Sequence, residues 1–211
     1  MEKPTKGEQT RATILDAGLR LASRLGIEGL TIGSLAEATG LSKSGLFAHF
    51  GSREELQRAV LEHGGRCFGE RVLVPALQVE RGLPRLHALF ENWIEWTVAS
   101  NLPGGCILIA AAHEYDDRPG PIRDAVAALQ RQGLGLLNKA VRLAIEAGHL
   151  RPDTDPAQVA FEMLGIVLVN HHNRRLLGDR EARNRALIAY EELIARYAAP
   201  APRAELRAAS L

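Results

Sequence analysis

Apolar residues recur at helical spacing along nearly the whole chain. Nowhere is there the sustained apolar–polar alternation that a half-buried strand requires. Ile14, Ala17, Leu21 and Leu25 step by three and four, with Leu15 and Ala22 widening the stripe. Gly18 lies inside that stripe and weakens it without breaking it. No Asn-Gly or Asp-Gly turn stands between β-branched runs. The chain is therefore expected to be all-α. Its 46% apolar residues are enough for a real core over 211 residues.

Punctuation divides the helices. Thr5 and Glu8 have capping-box spacing ahead of the first stripe, and Gly26 follows it. Thr31 caps an expected helix at about 32–39, closed by Gly40, and Ser42 caps another at about 43–49. Ser52 and Glu55 form a second capping-box pair, opening a longer helix that Pro75 must end or kink. Gly82 to Pro84 and Pro103 to Gly105 are breaks, and 116–121 reads as a loop. Between them lie a helix carrying Leu86, Leu89, Phe90, Trp93 and Trp96, and a mostly buried one over 106–115. A long helix from Ile122 to about Gly148 is weakened by Gly133 and Gly135. Asp155-Pro156 opens a helix to about Leu177. A last helix is expected at roughly 181–198, with a frayed Ala/Pro/Arg-rich tail over 200–211.

The residues from Leu30 to Phe50 carry the most information. Ile32, Leu35, Leu41, Leu46 and Phe50 can form one small core, with Ala36 where two helices cross and Gly40 at the turn. A helix, a short turn and a second helix free to enter a major groove make a helix-turn-helix. Outside that core the second helix offers Lys43, Ser44, Gly45, Phe47 and His49. These residue types can touch base edges and phosphates, and Gly45 lets backbone approach closely.

In this stretch the sequence resembles the TetR family of transcriptional regulators. The residues that carry the resemblance are Thr31, Ile32, Leu35, Ala36, Gly40, Leu41, Leu46, Phe47, His49, Phe50, Arg53 and Leu56, within about 10–60. The resemblance implies a three-helix DNA-binding head. It places Thr31 and His49 where phosphates are held, and Lys43 and Ser44 where bases or phosphates are read. Arg53 stands in place of a usual lysine at a helix N-terminus. Phe47 replaces a commoner tyrosine, which removes one hydroxyl-to-phosphate bond. Gly33 replaces a longer polar residue, which removes one possible base contact.

Charge shapes this expectation. With 26 basic and 25 acidic residues the formal charge is +1, which excludes a protein that coats polyanions by bulk attraction. Residues 1–66 hold nine Lys/Arg against eight Asp/Glu, so a basic face must come from arrangement. No apolar run is long enough to span a bilayer, and Met1 to Thr5 lacks the apolar core of a secretory signal. A cytoplasmic protein without membrane association is expected.

Downstream, the helix at 156–177 is apolar nearly all round at its centre and must be covered on two sides. Together with 181–198, carrying Leu187, Tyr190, Leu193, Ile194 and Tyr197, it is expected to form a two-fold homodimer bundle, as the resemblance also implies. Phe68, Phe90, Trp93, Trp96, His113, Tyr115 and Phe161 are candidates to line a cavity for a small apolar or amphipathic effector. Glu114 and the His171-His172 pair could orient a polar group or respond to pH.

Catalytic readings fail on spacing. His113-Glu114 begins like a zinc-protease helix, but Asp117 stands where the second histidine is needed. Gly133-Leu134-Gly135 lacks a third glycine and a preceding strand. Cys67 and Cys106 read as core thiols. No enzyme, cofactor or metal is therefore expected. The sequence predicts a DNA-binding head at 1–56, a ligand-binding and dimerisation domain at 57–199, and a repressor released from a palindromic DNA operator by a small molecule. The alternatives are an all-helical small-molecule-binding protein or enzyme with a vestigial head, or an architectural DNA binder indifferent to ligand.

Overall fold

A computed structural model describes residues 5–99 and 102–200. The expected tail lies outside them except for Pro200, and so does the N-terminal stretch before Thr5. Every element among the described residues is helical, and no helix there is long and apolar enough to cross a membrane. The single extended pairing among the described residues is an isolated bridge between Leu150 and Ala198.

Local signals set the helix starts. Helix α1 spans Lys6–Leu25 behind Thr5, whose hydroxyl accepts from the Glu8 N–H while the Glu8 carboxylate accepts from the Thr5 N–H. Helices α2 (Ile32–Thr39) and α3 (Lys43–Phe50) are short, and α4 runs Arg53–Phe68. The expected box at Ser52 is only half made. Ser52 accepts from the Glu55 N–H, but the Glu55 carboxylate turns to Arg58 at 2.6 Å. After α4 the chain widens into a π turn at Gly69–Leu73 and continues as α5 (Val74–Leu77). Pro75 has no N–H to donate, so it sits in the first turn of the new segment and the irregularity falls upstream of it.

The body contains α6 (Leu83–Ala99), α7 (Ile107–Glu114), α8 (Pro121–Glu146), α9 (Pro156–Arg175) and α10 (Ala182–Tyr197). Gly133 and Gly135 do not interrupt α8, because Val126, Leu137, Ala140, Val141 and Ala144 hold its inner face in the core. Asp155 caps α9 through the Ala157 N–H at 2.8 Å.

Two apolar cores meet along α4. One joins Ile14, Leu15, Leu19 and Ala22 of α1 to Leu35, Leu46, Phe50, Leu56 and Val60, and also takes in Ile107, Ala111, Tyr115, Ile122 and Val126. The other gathers Leu86, Phe90, Ile94, Val141, Met163, Val167, Tyr190 and Leu193. The head thus shares its core with α7 and α8. A boundary at 56/57 falls inside α4, whose Ala59, Val60 and Leu61 still pack with the head.

Two sequence expectations shift here. The buried stripe of α1 runs through Leu15, Gly18, Leu19 and Ala22, which leaves Leu25 half exposed. Leu41 lies outside the small core, 43% exposed in the turn, because α2 and α3 close on Leu35, Leu46 and Phe50 without it.

Close approaches lock this arrangement. A Cβ at Gly18 would stand 2.8 Å from Val60 Cγ2, and one at Gly64 would stand 3.0 Å from Ile107 Cγ2. The tightest contact is at Gly104, where a Cβ would lie 1.4 Å from the Ser23 carbonyl oxygen while the Gly104 N–H donates to Ser23 Oγ at 3.1 Å. Gly104→Ala is expected to destabilise the fold by about 3 kcal/mol, the upper range for overpacking. Urea unfolding of wild type and variant measures this; an unchanged midpoint would contradict the packing described.

Candidate nucleic-acid interface

Three caps build the exposed edge of the head. Thr31 Oγ1 accepts from the Ser34 N–H at 2.9 Å, and Ser34 Oγ accepts from the Thr31 N–H at 2.9 Å. Gly40 closes α2 in the left-handed conformation, with φ 71°. Ser42 Oγ then accepts from the Gly45 N–H at 3.1 Å, which starts α3.

Leu46 and Phe50 anchor α3 from below, and Arg11 covers the Phe50 ring at 5.1 Å. The outer face of α3 is Lys43, Ser44, Gly45, Phe47, Ala48 and His49, all exposed, with Phe47 at 57%. Five of the residues expected to touch DNA are therefore accessible on α3. A Cβ placed on Gly33 would sit 3.9 Å from Lys43 Cε and 3.6 Å from Thr31 Oγ1. Without a side chain at Gly33, the Lys43 stem lies over the first turn of α2. A cation beside a helix N-terminus favours an anion there. Thr31 uses its lone pair in its own cap and donates its hydroxyl proton to Ser34 Oγ at 3.2 Å.

Arg53 is placed differently. Its guanidinium turns to Glu28, donating to the carboxylate at 2.6 Å and to the Glu28 carbonyl. Tyr115, expected in an effector cavity, reaches the same group and donates to Glu28 Oε2 at 3.0 Å. The Tyr115 and Arg53 hydrogen bonds hold the Glu28 carboxyl below its ordinary range. Burial and the Glu28 carboxylate push the Tyr115 hydroxyl upward. Arg53, Glu28 and Tyr115 line an open hollow of about 490 Å³ with Arg118 and Arg123.

Beside this relay, the Glu114 carboxylate accepts from the Ile27 N–H at 2.7 Å and the Glu28 N–H at 2.8 Å. Gly26 makes room for it, since a Cβ there would lie 2.8 Å from Glu114 Oε1. Gln57, buried in α4, donates to the Ile27 carbonyl at 2.7 Å. The turn between α1 and α2 is thus gripped from α7 and α4 together. Glu28 and Gln57 carry no sequence signal, because their partners lie 25 to 87 residues away.

The remaining candidates for an effector cavity do not converge. Phe68 packs edge-on against Trp93 at 5.7 Å and Trp96 at 6.0 Å. Phe90 stacks on Tyr190 at 3.9 Å. His113 is exposed. Phe161 is 71% exposed, because it sits about 200° around α9 from buried Val159 at 100° per residue. Four of the seven therefore lie together in the body core, and Tyr115, His113 and Phe161 lie elsewhere.

Two family models match the chain. The bacterial regulatory proteins of the tetR family match residues 14–60, and the tetracyclin repressor-like C-terminal domain matches residues 82–190. Among curated relatives, the HTH-type transcriptional regulator AcrR of Shigella flexneri is 33% identical over 72 residues, 33% of this chain and 34% of that protein. The HTH-type transcriptional repressor AcnR of Corynebacterium glutamicum is 36% identical over 83 residues, 39% of this chain and 43% of that protein. The matches span less than half of these relatives. Solved structures align over far more. A TetR-family regulator from Cytophaga hutchinsonii gives a TM-score of 0.81 at 22% identity, over 94% of this chain and 100% of that one. AibR, solved with isovaleryl coenzyme A and operator DNA, gives 0.67 at 25% identity, over 89% and 97%.

The grip on the turn is open to direct measurement. Glu114→Ala removes a charged acceptor from two N–H groups and is expected to cost about 2 kcal/mol locally. Amide exchange at Ile27 and Glu28 should quicken by at least about tenfold. Unchanged exchange at both amides would show that the carboxylate does not hold the turn.

Proposed function

The chain belongs to the TetR family of bacterial regulators, and on that premise we propose that it is a cytoplasmic transcriptional repressor released from a palindromic operator by a small molecule. The observation that carries this reading is the exposure of Lys43, Ser44, Gly45, Phe47 and His49 on a capped, anchored α3. Residues 1–56 contact DNA in this reading, and 57–199 sense and dimerise. Two copies present their recognition helices to successive major grooves about 34–36 Å apart. Thr31, Lys43 and His49 hold phosphates. Gly45 admits the backbone, and Phe47 offers apolar contact to a thymine methyl.

Arg53 joins this set only when it leaves Glu28. That makes the Arg53–Glu28–Tyr115 relay the point where sensing meets reading. Tyr115 and Glu114 end α7, so displacement of α7 moves the turn before α2. An effector acts only if it prefers the displaced state. Phe68, Phe90, Trp93 and Trp96 support an effector site in the body. Beside them the Tyr190 hydroxyl is buried without a hydrogen-bond partner among the described residues. AibR, the relative solved with an acyl coenzyme A and its operator, supports the same pairing of ligand and DNA.

Dimerisation rests on α9 and α10. Phe161, Val169 and Ile188 are 71%, 59% and 59% exposed. The groove between the two helices, about 960 Å³, is lined by Gly165, Ile166, Val169, Ala186, Ala189 and neighbours. Small residues beside exposed apolar ones suit close packing against a second copy.

Binding of the purified full-length protein to its own upstream DNA, against scrambled DNA, tests the reading. Sequence-selective binding is expected, and its absence together with surviving ligand turnover would favour the vestigial-head alternative. Lys43→Ala should weaken operator and random DNA by a similar factor, since the lysine side chain lies over the first turn of α2. A loss confined to the operator would make Lys43 a base reader instead. Glu28→Gln removes the charge that holds Arg53, leaving only neutral acceptors, and should tighten DNA binding and steepen its salt dependence by up to about one phosphate contact. An unaltered salt slope would remove Arg53 from the interface. Val169→Glu should halve the mass in light scattering; a wild type that is already monomeric would refute the dimer.

A further inference from the structure

Where α1 and α4 run side by side, Asp16 Oδ1, His63 Nε2 and Cys67 Sγ lie within 4.8 Å of one another. We propose that these three side chains form a binding site for a borderline-soft divalent cation of the zinc class, bridging the two helices.

The geometry is close to what such an ion needs. His63 and Cys67 occupy adjacent turns of one helix face, and His63 Nε2 is 3.7 Å from Cys67 Sγ. Ligand atoms around a tetrahedral zinc, with bonds of about 2.0–2.3 Å, stand roughly 3.3–3.7 Å apart. Asp16 Oδ1 is now 2.6 Å from His63 Nε2, a hydrogen bond, and must retreat by about 0.7 Å to reach that spacing. Its side chain is 66% exposed and free to do so. His63 is mostly buried and keeps its ring fixed between the helices.

The donor set selects the ion. One thiolate, one imidazole and one carboxylate suit zinc and disfavour magnesium and calcium, which take oxygen ligands. Three protein ligands leave a fourth position for water on the open side. Arg66 Nη2 lies 3.3 Å from His63 Nδ1, so that nitrogen is the acceptor and the ring proton sits on Nε2, facing Asp16. On metal binding the ring proton moves to Nδ1 and exposed Arg66 swings to solvent. The Cys67 thiol gives its proton to water and its electron pair to the cation. One cation thus enters and one proton leaves.

The bridge would clip α1 to the stretch of α4 that carries Gly64 and Gly65, which also touch Ile107 and Leu129 of the body. Binding is independent of any DNA contact, so its test stands apart from the regulator reading.

The probe is cobalt(II), added to reduced, tag-free, full-length protein. A thiolate-to-cobalt charge-transfer band in the near ultraviolet should saturate at one cobalt per chain, and zinc should displace it. Cys67→Ser should abolish the band. His63→Gln and Asp16→Asn should each weaken binding at least about tenfold. Asp16→Asn changes an exposed side chain and keeps the fold, and circular dichroism of each metal-free variant checks that. Absence of a band at excess cobalt overturns the site. So does a band that survives Cys67→Ser, which would move the metal to Cys106, the other thiol in the sequence. Unchanged affinity in either His63→Gln or Asp16→Asn also overturns it.

Discussion

Helix α4 is packed so closely on both sides that neither half of the molecule can be placed without it. On the head side Val60 presses on Gly18; on the body side Gly64 meets Ile107 and Gly65 meets Leu129. The space at these glycines does not admit an added methyl without movement of its neighbours, since interiors pack at crystal-like density and respond to small changes in volume. A head held in this way does not drift relative to the body. It moves when α4 moves, or when the helices lying on α4 do.

Polar contacts then give that coupling a direction. The α1–α2 turn carries backbone N–H groups that α2 cannot use, and Glu114 from α7 accepts two of them. Glu28, in the same turn, is shared between Tyr115 of the body and Arg53 of the head. The end of α7 and the start of α4 therefore each hold one oxygen of the same carboxylate. Exposed pairs of this kind contribute little to stability. Their weight lies in placement, because a shift of α7 changes what Arg53 has beside it.

Near-neutral overall charge fits such a design. With a formal charge of +1 the chain has no bulk attraction for a polyanion. In the proposed reading, contacts with DNA come from a few aimed groups whose backbone is set by the caps at Thr31 and Ser42. The apolar surface left on α9 and α10 has the same logic at the other end of the molecule. Phe161 and Val169 face outward because Val159, Met163 and Val167 already fill the inner face.

Sequence alone determined what depends on near neighbours. The capping residues Thr5, Thr31, Ser42 and Asp155, the left-handed Gly40 and the helical periodicity act within one or two turns, so they are legible in linear order. The all-helical class and the exposed face of α3 follow from them. Tertiary structure decided whatever joins distant residues. It gave Gly18 a packing reason where the sequence showed only a weakened helix, and left Leu25 and Leu41 in solvent. It took Tyr115 from an expected cavity to the head–body joint and turned Phe161 outward. It also brought Asp16 to His63 across 47 positions, and Glu114 to Ile27 across 87. Such pairs form only when the helices pack, because packing fixes which of several equally apolar faces turns inward.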